Sequence, residues 1–181
     1  MNIIKTEIPD VLIIEPKVFG DARGFFYESF NQKVWREKTG IDAVFVQDNH
    51  SFSKKGVLRG LHFQLPPSPM TKLVRCTRGR LWDVAVDLRK NSPTYLEWFG
   101  VELSAENKKM LYVPEGCAHG FYALEDCELL YKVSHTFQKE LDGAVAWNDS
   151  AFNIAWPLQG DPILSDKDKV APKLSELQLP W

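Results

Sequence analysis

The segment Val57-Gln64, VLRGLHFQ, sets an arginine, a glycine and a histidine inside a run of β-forming residues. Alternate side chains of a strand face opposite sides, so Arg59 and His62 would diverge. A glycine within a strand often marks a bulge, however, and Gly60 is expected to bring both into one site. A histidine with the reference pKa of about 6.5 is largely free to accept a proton near neutral pH. Lys72 opens the next run, KLVRC, where a strand lysine taken alone reads as a solvated edge residue that resists aggregation. His119 follows a turn in PEGCAHGFYAL (Pro114-Leu124), and Cys117 with His119 is too sparse a set to specify zinc. Tyr131 lies in ELLYKVSHTF on one face with Leu129, Val133 and His135, the setting of a core tyrosine with its hydroxyl paired. Ser165-Asp166-Lys167-Asp168 fits a capping box, which gives Asp168 a structural duty at a helix start. His50, His62, His119 and His135 are the only histidines, and none stands in a His-x-His pair, so a metal-binding barrel is disfavoured.

The elements that must position these residues are short and β-rich. Runs at Val11-Glu15, Phe25-Phe30, Ala43-Phe52, Val57-Phe63, Lys72-Thr77, Leu81-Asp87, Tyr95-Leu103, Met110-Val113, Gly120-Leu124 and Glu128-Phe137 are separated by turn residues, as in an all-β sandwich or barrel. TRGR, Thr77-Arg80, is expected to turn the chain back antiparallel. Helices are predicted from Asn31, ending near Gly40, and from Ser165. LPPSP, Leu65-Pro69, reads as a loop. In Leu81-Asp87, alternation separates Trp82, Val84 and Val86 from Asp83, Ala85 and Asp87. Acids lining a barrel would make its interior a wet binding site, since unpaired buried charges are costly; for this strand alone a solvent-facing surface is the favoured reading.

A chain of 181 residues, 44% hydrophobic, fits one domain spanning 1-181. Its 22 basic and 24 acidic residues leave a net charge of -2 with no long run of either sign, so no nucleic-acid partner is expected and any phosphate binding must be local. MNIIKTEIPD breaks off before an apolar stretch of signal-peptide length, and no segment approaches bilayer-spanning length. A cytoplasmic protein without membrane association is expected. Cys76, Cys117 and Cys127 read as reduced thiols that mostly pack.

The motifs FGDARGFFYESF (Phe19-Phe30), FVQDNHS (Phe45-Ser51), GVLRGLHFQ (Gly56-Gln64), KLVRC (Lys72-Cys76), DVAVDLR (Asp83-Arg89), PEGCAHGF (Pro114-Phe121), LLYK (Leu129-Lys132), WND (Trp147-Asp149) and LSDKD (Leu164-Asp168) follow one another nearly end to end. In that order and spacing the chain resembles the dTDP-4-dehydrorhamnose 3,5-epimerase family. The resemblance implies a cupin-type jelly-roll β-barrel with a few short helices, a homodimer with shared sites, no metal and no nicotinamide cofactor. It implies inversion of C3 and C5 of dTDP-4-dehydro-6-deoxy-D-glucose through enolates. His62 would then be the general base, Asp168 its partner, Lys72 the stabiliser of charge on O4 and Tyr131 the general acid. Arg23, Phe26, Glu28, Gln47, Asp48, Asn49, Arg59, His119, Asp142 and Lys167 would hold the nucleotide sugar, with Arg23, Phe26 and Glu28 completing the neighbouring subunit's site.

Three positions depart from the family pattern. Phe137 stands where a tyrosine that stacks on thymine is common, Asp142 replaces a frequent glutamate, and Met70-Thr71 replaces a frequent Gln-Gly. The alternatives are an enzyme that epimerises only C3 or only C5, one that takes another nucleotide-linked 4-keto-6-deoxy sugar, a non-catalytic sugar-binding barrel, and a metal-dependent cupin.

Overall fold

The computed structural model describes residues 1–181, and two antiparallel sheets make up most of it. The six-stranded sheet runs β1 (Asn2–Lys5), β2 (Leu12–Glu15), β10 (Met110–Val113), β7 (Lys72–Arg78), β12 (Cys127–Val133), β5 (Gln47–Ser53). The five-stranded sheet runs β13 (Asp142–Ala144), β6 (Leu58–Gln64), β11 (Cys117–Ala123), β8 (Arg80–Asp87), β9 (Trp98–Ser104). A separate hairpin pairs β3 (Phe19–Asp21) with β4 (Gly24–Phe26), and the helices are α1 (Gln32–Thr39) and α2 (Asp166–Lys169). This is the all-β jelly roll expected from the sequence. No helix is long and apolar enough to cross a membrane.

Alternation along the strands explains where the cores form. Inward-facing residues of both sheets, among them Val74, Leu81, Ala85, Leu111, Phe121 and Leu129, interdigitate in one cluster of 15 buried residues. Two further clusters cover the outer faces. Trp35 of α1 packs on Leu12, Ile14, Leu73, Met110 and Tyr112 of the six-stranded sheet. Phe152 and Leu179 of the C-terminal segment pack on Leu61, Phe63, Val84 and Val86 of the five-stranded sheet. Helix α1 begins where expected: the Asn31 side chain accepts hydrogen bonds from the amides of Lys33 and Val34 at 3.1 and 3.2 Å. It ends at Gly40, with φ of 71°.

Two expectations need correction. The acidic face of β8 points inward, not to solvent: Asp83, Ala85 and Asp87 are each 0% exposed. Alternation reveals that a strand has two faces but not which one meets the opposite sheet, and here Trp82, Val84 and Val86 lie under the C-terminal segment instead. Thr77-Arg80 turns the chain but makes no hairpin, because β7 and β8 belong to different sheets. Gly79 takes a positive φ at this corner, and a Cβ there would lie 2.2 Å from the Asp126 carbonyl oxygen. Strands β1, β3 and β13 were not anticipated, and the runs drawn from Ala43 and to Phe30 and Phe137 are shorter as strands, confined to Gln47–Ser53, Gly24–Phe26 and Cys127–Val133.

Gly60 behaves as expected. On β6, Arg59 lies opposite Phe121 and His62 opposite His119, so three steps on β6 match two on β11. The extra residue is a bulge that turns Arg59 and His62 to the same face. Gly60 has φ of 126°, and a Cβ there would meet the Gly120 Cα at 2.6 Å. The bulge therefore depends on glycine on both strands.

Candidate active site

His62 projects from β6 with its side chain 30% exposed, and its Nε2 lies 2.6 Å from Oδ1 of Asp168. The aspartate is buried in the first turn of α2. Its other oxygen accepts the Ser165 hydroxyl at 2.8 Å, while its amide donates to the same hydroxyl at 3.1 Å. The capping duty and the contact with His62 are thus two uses of one carboxylate. Burial alone would raise the Asp168 pKa, but hydrogen bonds from His62, Ser165 and the Gly60 backbone outweigh it and hold the group below its ordinary value of 3.8.

Lys72, the first residue of β7, is buried, contrary to the edge-residue reading, and its Nζ donates to the His62 carbonyl oxygen at 3.2 Å. Burial pushes its pKa down to about 8, against the attraction of Asp83 and Asp142. His119 lies in the same interior, its Nε2 2.5 Å from Oδ1 of Asp83, and burial lowers its pKa. Tyr131 of β12, on the same sheet as Lys72, stands across from His62 and His119 on the other sheet; burial raises its pKa, with Arg59 opposing. The recess between them, of about 250 Å³, is also lined by Gln47, Asn49, Phe137, Asp142 and Lys167. Lys167 and Asp142 form an ion pair that ties α2 to β13 at its edge. Gln47 donates to Asn49 at 2.8 Å and accepts the Phe137 amide at 3.1 Å, which leaves the exposed Phe137 ring free to stack. Arg59 is exposed and reaches across to β5, where it donates to the Phe52 carbonyl and the Ser53 hydroxyl at 3.0 Å each.

Of the residues singled out in the sequence, Arg59, His119 and Asp168 do not line this recess, and Asp48, Arg23, Phe26 and Glu28 lie elsewhere. Asp48 faces the other side of β5 from Gln47 and Asn49, where it pairs with Lys132 at 2.9 Å. Arg23 and Phe26 sit on the β3–β4 hairpin; the Arg23 side chain is 90% exposed and pairs with Asp21. Glu28, just beyond the hairpin, accepts from Asn31 at 3.1 Å. The buried residue whose part was missed is Asp83, although strand alternation had already set it apart from the apolar face of β8. No group of three or more His, Cys, Asp or Glu side chains is gathered as a metal site would require.

Because the Asp168 pKa is depressed in the folded chain, its stabilisation is fully present above the unfolded value near 3.8 and is lost as pH falls through the folded value. The thermal midpoint of the wild type should therefore drop more steeply below about pH 4 than that of Asp168→Asn. At neutral pH the variant should be less stable by about 1–3 kcal/mol, as expected for losing a buried charged hydrogen-bond partner. Parallel slopes in a calorimetric pH series would show that the contact contributes nothing to folding.

Comparison with known proteins shows the family. The family model described as dTDP-4-dehydrorhamnose 3,5-epimerase matches residues 5–176. The dTDP-4-dehydrorhamnose 3,5-epimerase of Shigella flexneri is 61% identical over 169 residues, 93% of each chain. A crystal structure of the dTDP-6-deoxy-D-glucose-3,5-epimerase of Legionella pneumophila, in complex with dTDP-4-keto-L-rhamnose, is 46% identical with a TM-score of 0.95, covering 99% of this chain and 97% of that one. A 3'-monoepimerase from Streptomyces bikiniensis, in complex with dTDP-quinovose, is 34% identical with a TM-score of 0.88, over 94% of this chain and 86% of that one.

Proposed function

We propose that this chain, which belongs to the dTDP-4-dehydrorhamnose 3,5-epimerase family and is an isomerase of the cupin-type fold, inverts C3 and C5 of dTDP-4-dehydro-6-deoxy-D-glucose in the recess around His62. Hydrogens on C3 and C5 flank the C4 ketone, so removing either leaves an enolate whose negative charge collects on O4. His62 takes the proton. Asp168, 2.6 Å from its Nε2, fixes the ring and stabilises the imidazolium that forms. The buried Lys72 ammonium stabilises charge at O4 where it develops, in surroundings of low dielectric that strengthen the interaction.

One observation carries this reading: His62 and Tyr131 stand on opposite sheets and line the same recess. A sugar ring held between them meets a base on one face and an acid on the other, which is what inversion demands. Phe137 offers its ring face to the nucleobase, and Arg59 suits the diphosphate, whose oxygens a guanidinium can engage in pairs. His119, Gln47, Asn49, Asp142 and Lys167 hold the sugar, with no metal or other cofactor. Inversion at a single carbon is the second reading, supported by the likeness to the Streptomyces bikiniensis monoepimerase.

The protein acts as a homodimer in this reading. Arg23, Phe26 and Glu28 lie outside their own recess, and the exposed hairpin that carries Arg23 and Phe26 is available to reach a partner's site. Three buried free thiols suit a reducing, cytoplasmic compartment, and the near balance of charge gives no footprint for nucleic acid.

His62→Ala should abolish both product formation and deuterium exchange into substrate, since no enolate forms without the base. Tyr131→Phe keeps the ring but loses the acid, so the enolate should form and be reprotonated by His62 on the face it left. Deuterium should then enter recovered, un-inverted substrate while product formation falls by roughly 10²–10⁴-fold. Loss of exchange in Tyr131→Phe as complete as in His62→Ala, or inversion at the wild-type rate, would mean that the acid is a different group. For the dimer, mixing Arg23→Ala subunits with His62→Ala subunits should restore part of the activity. No recovery in confirmed heterodimers would place both residues in one subunit's site.

A further inference from the structure

Asp83 has no part in the proton transfers above, yet it is a carboxylate with no exposure, in the middle of the barrel. His119 Nε2 lies 2.5 Å from Oδ1, and this contact anchors that end of the group. Oδ2 is buried with no hydrogen-bond partner. Leaving a buried carboxylate oxygen unpaired is costly, so the chain retains an expense that a leucine or an asparagine would avoid. What the charge faces accounts for it. In the ladder, β11 sets His119 opposite His62, and Lys72 donates to the His62 carbonyl, so Asp83, His119, His62 and Lys72 form one connected interior group.

We propose that Asp83 is a positioning residue which keeps the Lys72 ammonium charged, so that the site holds a cation ready for a developing oxyanion. The Lys72 ammonium makes only one hydrogen bond to the protein, to a neutral carbonyl, and is largely removed from solvent at the wall of the recess. The titratable groups about it are Asp83 on β8, Asp142 on β13, Lys167 on α2, His62 on β6, His119 on β11 and Tyr131 on β12. Lys167 is a like charge, and Asp142 is engaged by Lys167 in an ion pair. Asp83 is the stronger of the two carboxylate influences that oppose the desolvation of Lys72. Oδ2 has no hydrogen-bond partner, and no lysine or arginine of the chain forms an ion pair with Asp83.

The purpose given to this charge rests on the enolate reading; the charge itself does not, and it is measurable without substrate. Lysines labelled at Cε with carbon-13 are titrated by NMR in the wild type and in Asp83→Asn, the Lys72 signal being assigned by its loss in Lys72→Arg. The Lys72 midpoint should fall by about one unit or more in Asp83→Asn, the scale of losing a nearby opposite charge. An unchanged midpoint overturns the proposal. In the wild type, the Asp83 carboxyl carbon should also shift as Lys72 loses its proton, and a flat response there overturns it as well. That second measurement stands should the asparagine variant fail to fold. In the activity assay, Asp83→Asn should move the alkaline limb of the kcat/KM profile down in step with Lys72. A uniform loss of rate with no displaced limb would mark Asp83 as merely structural. Should the NMR shift occur in a protein with no epimerase activity, the electrostatic role survives and the assigned reaction does not.

Discussion

The contact between His62 and Asp168 is the interaction on which the rest of the site depends. It joins residues 106 positions apart, and the helix that carries Asp168 has only four residues, too few to be stable on its own. Tertiary bonds supply what the helix lacks. Ile163 pairs with β6 through its amide and carbonyl, at 2.8 and 3.0 Å from Gly56 and Leu58, and so sets the register of the following turn. Ser165 then caps the helix and braces the carboxylate, and the Lys167 ion pair with Asp142 holds the far side. The result is an Asp168 carboxylate braced within its own turn, and it holds the His62 ring by one hydrogen bond.

A second constraint is the burial of charge. Barrel interiors of this size are usually filled with apolar side chains, and much of this one is, around Val74, Leu81, Leu111 and Leu129. It also buries Lys72, Asp83 and His119, and Asp168 is buried in α2. Such groups remain charged only when paired, and each carboxylate here has a histidine at 2.5 or 2.6 Å. Strand alternation decides which side chains enter the interior: β8 sets Asp83 inward while neighbouring Val84 packs outward under the C-terminal segment.

Much of this was legible in the sequence, and the exceptions have a common cause. The strand runs, the Asn31 and Ser165 caps and the bulge at Gly60 are local features, and local rules found them. Of the residues that family resemblance pointed to, His62, Lys72 and Tyr131 line one recess and Asp168 contacts His62, although the residue-by-residue reading of Lys72 pointed to solvent. What failed required knowledge of a distant partner. Nothing within Leu81-Asp87 says which face meets the other sheet, and nothing within Thr77-Arg80 says that the chain changes sheets there. Asp48, which the family resemblance places with Gln47 and Asn49, lies on the opposite side of β5 from them, as a period of two requires. The β3–β4 hairpin with Arg23 and Phe26 stands exposed and outside the recess.

The central claim is that protons leave and return on opposite faces of carbons flanking a ketone, within one recess. Incubating the wild-type protein with dTDP-4-dehydro-6-deoxy-D-glucose in deuterated water, and locating deuterium in the product by NMR, addresses it most directly. The expected product is inverted at C3 and C5 and carries deuterium at both carbons and at no other. Inverted product that retains its original hydrogens would contradict proton removal altogether, and deuterium with inversion at only one of the two carbons would contradict the double epimerisation.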